Sequence, residues 1–148
     1  MKASRVFTLL LASSVAVVQL AAQQTKADQK PIEEVKAKAE AGDAESQVEL
    51  GRRYDKGAGV VKDHAEAAKW YRKAAEQNYV DAQYNLGLCY YLADAGTEDW
   101  AEVYKWLSLA ARQGHESAKN YITFLESKLM KPGQIAQGQK RAREFKPR

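Results

Sequence analysis

Apolar and small residues recur with helical spacing through the middle of this 148-residue chain. In the clearest stretch, five of them follow the i, i+3, i+4, i+7, i+8 pattern of one helix face: Ala67, Trp70, Tyr71, Ala74 and Ala75. A second helical pattern precedes this stretch around Leu50, and the connection over 56–62 contains glycine. Because that connection is too short for anything but an antiparallel return, the pattern predicts a helix pair, with helix A over 44–56 and helix B over 63–77.

The same pattern returns 36 residues later. Residues 47–54, QVELGRRY, recur as QYNLGLCY at 83–90, and residues 69–75, KWYRKAA, recur as KWLSLAA at 105–111. A fixed period of roughly 20–50 residues is typical of repeat architectures, in which each unit buries its apolar face against the next. We therefore predict an all-α fold: a short α-solenoid of antiparallel helix pairs, with about six helices after the N-terminal segment.

Weaker traces of the period extend the array at both ends. Gly42 stands one period before Asn78, and Ile122 stands one period after Leu86. The helical segments predicted for the array are 32–41, 44–56, 63–77, 80–92, 99–113 and 117–130, followed by a capping helix over 134–145. The predicted units are a half unit at 31–42, repeats at 43–78 and 79–114, a partial repeat at 115–130, and a basic C-terminal capping helix and tail at 131–148.

Capping residues mark the ends of the B helices. Each B helix begins with an aspartate, Asp63 or Asp99, three residues before a glutamate. In a capping box the aspartate accepts from free backbone N–H groups and the glutamate reaches back to the cap. The predicted stops are Asn78 and Gly114, because asparagine and glycine tolerate the left-handed conformation that closes helices.

Gly51 and Gly87 occupy equivalent places inside the two A helices. Glycine costs about 1 kcal/mol relative to alanine inside a helix, so its presence twice needs a structural reason. We expect a close approach of the paired B helix, with the rings of Trp70 and Trp106 packing nearby.

Residues 1–22 have the three-part pattern of a secretory signal peptide. Lys2 and Arg5 form a basic head, an apolar run extends from Val6 to Ala22, and a polar linker follows at 23–30. We therefore expect a periplasmic or secreted protein. An uncleaved N-terminal anchor is the alternative.

Charge is distributed unevenly along the chain. The whole sequence carries a net charge of +4, whereas residues 128–148 contain seven basic residues and one acid, and residues 23–127 carry −4. The sequence pI of about 9.1 therefore reflects the tail. It does not indicate nucleic-acid binding.

Residues of both units carry a recognisable motif. In the first unit they are Leu50, Gly51, Tyr54, Gly57, Gly59, Val60, Asp63, Ala65, Ala67, Trp70, Tyr71, Ala74 and Ala75. In the second they are Ala82, Leu86, Gly87, Tyr90, Asp99, Ala101, Trp106, Ala110 and Ala111, and the loop over 93–97 departs from the G-x-G-V pattern. The motif resembles the Sel1-like repeat family, a relative of the tetratricopeptide repeats, over about residues 32–130. The resemblance implies an α-solenoid that serves as an adaptor in assemblies or signalling, with some secreted bacterial members in cell-envelope processes.

No residues have the spacing of a catalytic or metal-binding set. The two histidines, His64 and His115, lie in no Ser–His–Asp or Cys–His arrangement, and His64 is interpreted as a surface residue beside a helix cap. Cys89, the only cysteine, is interpreted as a small apolar residue between helices. Its alternatives are a disulfide between chains or a redox role. We expect a monomeric non-enzyme with no catalytic residue, cofactor or metal.

Partner-binding residues are predicted on the concave face, which helix A lines in tetratricopeptide-like superhelices. Counting from the Leu–Gly pair gives an apolar and aromatic patch rimmed by charge: Arg52, Asp55, Tyr84, Leu88, Tyr91, Asn120 and Phe124. Such a patch suits an extended or helical peptide. The alternative is that Leu88 and Phe124 only pack adjacent A helices together.

The predicted function is non-catalytic: a protein–protein interaction module, adaptor or scaffold, in the bacterial cell envelope. It would hold a segment of an unknown protein partner on the helix A surface, and no nucleic acid. The first alternative is a binder of the envelope surface or an anionic polymer, acting through the basic tail at 131–148. The second is a cell-wall-related hydrolase, which the lack of a spaced catalytic set disfavours.

Overall fold

The computed structural model describes residues 31–93 and 99–148, and these residues contain seven helices and no strand. The helices are α1 (Ile32–Glu40), α2 (Ala44–Lys56), α3 (His64–Glu76), α4 (Val80–Ala93), α5 (Trp100–Arg112), α6 (Glu116–Lys128) and α7 (Pro132–Glu144). The all-α prediction is confirmed, and the seven helices correspond to the six array segments and the capping helix that the sequence predicts. The predicted signal peptide at 1–22 and linker at 23–30 lie outside the described residues, as does most of the second-repeat loop.

Each complete helix A packs against the helix B that follows it. α2 packs on α3 and α4 packs on α5, while the contact between α3 and α4 joins the two pairs. α1 packs on α2 as the lone B-type helix predicted for the N-terminal half unit. The bounds of α2 are those predicted, and the other five array helices begin and end within two residues of the prediction. The chain therefore folds as a short α-solenoid.

Side-chain caps and left-handed residues set the helix ends at the 36-residue period. Asp63 Oδ1 accepts from the backbone nitrogen of Glu66 at 3.0 Å, and Asp99 Oδ1 accepts from that of Glu102 at 3.3 Å. The chain leaves each B helix through a residue with positive φ: 99° at Gly42, 66° at Asn78 and 92° at Gly114. Glycine and asparagine adopt this region at low cost, so the predicted stops are confirmed.

Gly51 and Gly87 allow the close helix approach that was predicted. A Cβ atom on Gly51 would lie 2.6 Å from Cε1 of Tyr71, and one on Gly87 would lie 2.8 Å from Cδ2 of Leu107. Each of these side chains follows the expected tryptophan by one residue, which is about 100° around a helix. The atoms nearest to each glycine therefore belong to the residue after the tryptophan, while Trp70 shares a core cluster with Leu50 and Trp106 with Leu86.

The two tryptophans serve different neighbours instead. Trp70 packs with Val35 and Leu50, and so joins α1 to the first repeat. Trp106 lies edge-on to Phe145, with ring centroids 5.4 Å apart, and so packs α5 against the C-terminal segment. Equivalent residues of the two repeats thus seal opposite ends of the array.

A hydrogen-bonded pair of glutamines, one of them buried, recurs in both repeats and was not predicted from the sequence. Gln77 Nε2 donates to Gln47 Oε1 at 2.9 Å, and Gln113 Nε2 donates to Gln83 Oε1 at 2.9 Å. Gln47 is 3% exposed and Gln83 is 0% exposed. The Nε2 of each also donates to a backbone carbonyl of the preceding B helix, at 3.0 and 3.4 Å. Because an unsatisfied buried amide costs roughly 1–3 kcal/mol, these bonds fix how each repeat sits on the helix before it.

The C-terminal helix α7 packs chiefly on α5 instead of completing a pair with α6. Gly138 lies against Tyr104, where an added Cβ would be 2.7 Å from the tyrosine Cβ. The capping helix predicted from residue 134 begins at Pro132, because the first helical position needs no N–H donor. On α6, Thr123 stands at the glycine position of the motif and is exposed, since no B helix covers it.

Ion pairs hold the basic tail against the array. Arg141 Nη1 lies 2.8 Å from Asp99 Oδ1 and 3.0 Å from Glu102 Oε1, at the start of α5. These hydrogen bonds, above all that to Asp99, raise the pKa of Arg141. The backbone nitrogen of Arg148 donates to the carbonyl of Glu76 at 2.9 Å, at the end of α3. The C-terminal segment therefore spans the B helices of both repeats.

Candidate functional site

A cavity of about 720 Å³ opens between α3 and α4. Its α3 side carries the small residues Ala65 and Ala68, and its α4 side carries Leu86, Leu88, Cys89 and Leu92. Leu92 is 72% exposed, whereas Leu86 at the base is 1% exposed. The alanines leave room opposite larger apolar side chains, which gives the cavity an apolar floor. Its volume lies within the range of roughly 300–1,000 Å³ that is common for ligand pockets.

The structure distributes the predicted partner-binding residues over three places. Asp55 and Leu88 lie on the cavity wall. Arg52 pairs with Asp81, its Nη2 3.2 Å from Oδ2, and this contact links α2 to α4. The remaining four lie on α4 and α6, toward the C-terminal part of the array: Tyr84, Tyr91, Asn120 and Phe124. The seven residues are therefore not gathered at one site.

Tyr84 and Tyr91 belong to an aromatic cluster between α4 and α6. Tyr84 stacks on His115 with centroids 4.2 Å apart, and Tyr121 lies edge-on to Tyr84 and Tyr91 at 6.2 and 6.0 Å. Tyr91 also lies 6.1 Å from Trp100. Such pairs contribute roughly 0.5–1.5 kcal/mol beyond their buried area. These two tyrosines therefore pack neighbouring A helices together.

Asn120 and Phe124 lie on the surface of α6. Asn120 is exposed, and the Phe124 residue is 46% exposed. Leu88 is half-buried and lines the cavity. The alternative interpretation, in which Leu88 and Phe124 hold adjacent A helices together, stays a prediction.

Asp55 forms the negative end of the cavity. Tyr71 Oη donates to its Oδ2 at 2.8 Å, and Nδ1 of His64 lies 3.0 Å from its Oδ1. The Asp55 side chain is 29% exposed. Burial, together with the hydrogen bond to Asp55, raises the pKa of Tyr71. The carboxylate is thus held in place by donors from α3.

Arg72 and Lys69 form the positive end. Arg72 Nη2 donates to the Tyr90 hydroxyl, and the guanidinium carbon lies 5.5 Å from the centre of that ring. Lys69 Nζ lies 2.7 Å from Glu66 Oε2. Within residues 31–93 and 99–148, no carboxylate lies at ion-pair distance from Arg72. Its positive charge is therefore open to a ligand.

Cys89 lies half-buried on the cavity wall and packs against the main core cluster. Burial, with a smaller contribution from the Asp55 carboxylate, raises the pKa of the thiol to about 12. A thiol of this kind is a poor nucleophile at neutral pH, because the thiolate is the reactive form. The geometry agrees with the interpretation of Cys89 as an apolar interhelix residue.

The profile of the Sel1 repeat family matches residues 44–79 and 80–115. The chain carries two Sel1 repeats. The matched ranges begin one residue after the repeats predicted at 43–78 and 79–114, and together they contain every residue that lines the cavity.

Two solved structures are similar to the Sel1 array. One is a protective antigen present in uropathogenic Escherichia coli strains, displaying an SLR fold. It aligns with 77% of this chain and 24% of its own at 28% identity, with a TM-score of 0.69. The other is a Sel1 repeat protein from Oxalobacter formigenes, which aligns with 74% of this chain and 86% of its own at 28% identity, with a TM-score of 0.56. Both confirm the α-solenoid.

A curated relative is the secretory immunoglobulin A-binding protein EsiB of Escherichia coli O6:H1. It is 46% identical over 43 residues, which are 29% of this chain and 9% of the relative. The chain thus spans less than a tenth of the curated relative it matches. The fold common to these proteins is that of a protein-interaction module, generally a non-catalytic one.

The histidines of the Sel1 array have structural contacts. His115 Nδ1 accepts from the backbone nitrogen of Ala118 at 3.2 Å and so caps α6, while His64 contacts Asp55. Within the ranges 31–93 and 99–148, no three His, Cys, Asp or Glu residues lie close enough together to hold a metal ion. The helices described in those ranges also include none with the length and apolar character needed to span a membrane.

Lys69, Arg72 and Leu92 also line the cavity, although no sequence pattern pointed to them. Arg72 and Ser108 occupy the same position in the two copies of the KWYRKAA segment, so this position varies between the repeats. Variation alone does not single it out, because Tyr71 and Leu107 also differ within the segment and both pack against a helical glycine.

Proposed function

We propose that the Sel1 array is a non-catalytic interaction module of the bacterial cell envelope. It holds a segment of a protein partner in the cavity between α3 and α4. The observation that carries this proposal is an apolar cavity of about 720 Å³ with Leu92 72% exposed at its edge. Large exposed apolar side chains beside a concave apolar surface are typical of sites that bury a partner.

The predicted helix A residues fit this proposal to different degrees. Asp55 and Leu88 contact the segment directly, because they line the cavity. A longer partner crosses from the cavity over α4 to α6, where Asn120 and Phe124 offer exposed surface. Arg52, Tyr84 and Tyr91 line that path, although each already contacts another side chain of the array.

The envelope location rests on two supports. Residues 1–22 have the pattern of a signal peptide. One relative is named for binding secretory immunoglobulin A and another is described as a protective antigen, and both descriptions fit proteins that meet molecules outside the cytoplasm.

The geometry does not favour the basic tail as the binding element. Arg141 and Arg148 are engaged by acidic residues of α5 and α3, so part of the tail's charge stabilises the fold. No described contact favours the hydrolase.

Site-specific photo-crosslinking tests the proposal. A photoreactive amino acid replaces Leu92 in one variant and Val61 in another, since Val61 is also apolar and 87% exposed but lies away from the cavity wall. In native envelope fractions we expect one defined adduct at 92, competed by excess unmodified protein, and none at 61. Equal adducts at both positions, or no competed adduct at 92, would contradict the proposal.

A further inference from the structure

We infer that the segment held in this cavity is an extended, aliphatic and acidic peptide, with its carboxylate on Arg72 and its aliphatic side chains against α4. This inference rests on the proposed function and adds the chemistry of the partner. Its basis is the presence of opposite charges, from Asp55 and Arg72, and of apolar side chains on the wall of one cavity.

Arg72 is the recognition group. It is exposed, and the Tyr90 hydroxyl and ring hold its guanidinium at the cavity. A guanidinium has five N–H donors, so the bond to Tyr90 leaves donors for a planar carboxylate. Among the described residues no carboxylate pairs with it, so an incoming acid displaces no existing ion pair.

The Asp55 carboxylate sets the direction of the peptide. Asp55 lies on the cavity wall and repels a second acid there. A basic group of a peptide would have to share the Asp55 oxygens with Tyr71 Oη and His64 Nδ1, which already contact them. The acidic end of the segment therefore lies at Arg72.

The apolar middle sets the length. From His64 to Arg72, α3 rises about 12 Å, at about 1.5 Å per residue. An extended peptide covers that distance in about four residues, at about 3.3 Å each. Leu88, Cys89 and Leu92 lie along this path on α4. Aliphatic side chains within three or four residues of the acid therefore reach the apolar wall.

A phage-displayed library of random heptapeptides tests this chemistry on the full chain. We expect the peptides retained by the wild type to be enriched in Leu, Ile or Val with Asp or Glu within four residues. Arg72→Gln should lose the acidic enrichment and keep the aliphatic one. Arg112→Gln is the matched control, because Arg112 is an exposed arginine on α5 away from the cavity.

Titration of the most enriched peptide, carrying a fluorescent label, gives the size of the effect. Arg72→Gln should weaken its binding about tenfold, as expected for a charge-assisted hydrogen bond, and Arg112→Gln less than about twofold. Leu92→Ser should weaken the binding of the acidic peptide and that of the same peptide with its acid replaced by the amide to the same extent. Far-UV circular dichroism checks that each variant is folded.

Three results would overturn the inference. They are enrichment of basic peptides, equal effects of the two arginine variants on binding, or an enrichment of aliphatic acidic peptides by the wild type that is no greater than that by Leu92→Ser. If one of these occurs while the adduct at position 92 still forms, the partner chemistry is wrong and the proposed function stands. If the adduct is also lost, both fail.

Discussion

The first and second repeats share one set of packing residues and differ at another. The Leu–Gly pairs, the buried glutamines and the helix stops recur at equivalent positions. Val48 and Asp55 of α2, however, are replaced in α4 by Tyr84 and Tyr91, which pack on α6. α4 is apolar around much of its circumference, because it meets α3, α5, the cavity and the rings from α6. Positions where the copies agree build the common solenoid, and positions where they disagree decide which neighbours and surfaces each repeat has.

The largest loss of stability is expected when two aromatic side chains of the second repeat are shortened. The double variant Tyr84→Val and Tyr91→Ala should lower the free energy of unfolding by about 2–3 kcal/mol, because both rings pack α4 against α6. Phe124→Ala is the control and should cost less than about 0.5 kcal/mol, as its residue is largely exposed. Urea unfolding measures both. Equal losses would show that the aromatic cluster does not join these helices.

The two glycine contacts should differ in cost. Gly51→Ala should lower the free energy of unfolding by about 2 kcal/mol, because Tyr71 is a rigid ring held by Asp55. Gly87→Ala should cost about 1 kcal/mol, since the buried Leu107 makes a slightly longer contact, 2.8 Å, than Tyr71 does at 2.6 Å.

The control for this comparison is Gly133→Ala, which has open space around the new Cβ. It should leave the urea midpoint unchanged or raise it slightly. A larger cost at Gly87 than at Gly51 would reverse our ranking of the two contacts.

The helix boundaries could be predicted because their determinants are local. Asp63, Asn78 and Gly114 act on the backbone of their own turn, so single residues reveal where helices begin and end. The neighbour of each helical glycine could not be predicted. Trp70 and Tyr71 are adjacent in sequence, and only the crossing of the two helices decides which one meets Gly51.

The candidate site was predicted only in part, for a related reason. Asp55 and Leu88 follow from the helix A register, and both reach the cavity. The cavity itself depends on Ala65 and Ala68 standing opposite α4, which is a tertiary relation. Arg72 looks like an ordinary surface charge until the structure shows it at the cavity, without an ion-pair partner among the described residues.

The two tryptophans should respond differently to loss of the indole N–H. Trp106 Nε1 donates to Glu102 Oε2 at 2.9 Å, so Trp106→Phe should cost about 1–2 kcal/mol. Trp70 Nε1 is buried and has no hydrogen-bond partner among the described residues. Trp70→Phe removes this unsatisfied donor, which offsets lost packing, and should cost less than about 0.5 kcal/mol. A similar loss for both variants, measured by thermal or urea unfolding, would show that the indole donor makes no difference.

The smallest expected change is chemical and concerns Cys89, which the first repeat replaces with Arg53. Because the pKa of this thiol is raised to about 12, its alkylation by iodoacetamide should still rise about tenfold per pH unit between roughly pH 8 and 11. Asp55→Asn removes a negative charge that opposes the thiolate, so it should speed alkylation modestly. A rate that levels off near pH 9, as for an ordinary thiol, would show that the cavity wall is open to water.

The glutamine pairs bear on how such an array can lengthen or shorten. Each 36-residue block brings both members of its own amide pair and takes a main-chain carbonyl of the preceding B helix, which every sequence supplies. The second block also bonds to a side chain of the first, because Gln83 Nε2 and Gln113 Nε2 donate to Asn78 Oδ1 at 2.9 and 3.1 Å. A whole block can therefore be added or removed where the block before it ends in a residue that offers such an oxygen, as the Gly42 carbonyl does for Gln77. Lys119, which is exposed, stands where the next buried glutamine would be, and the series of paired amides stops there.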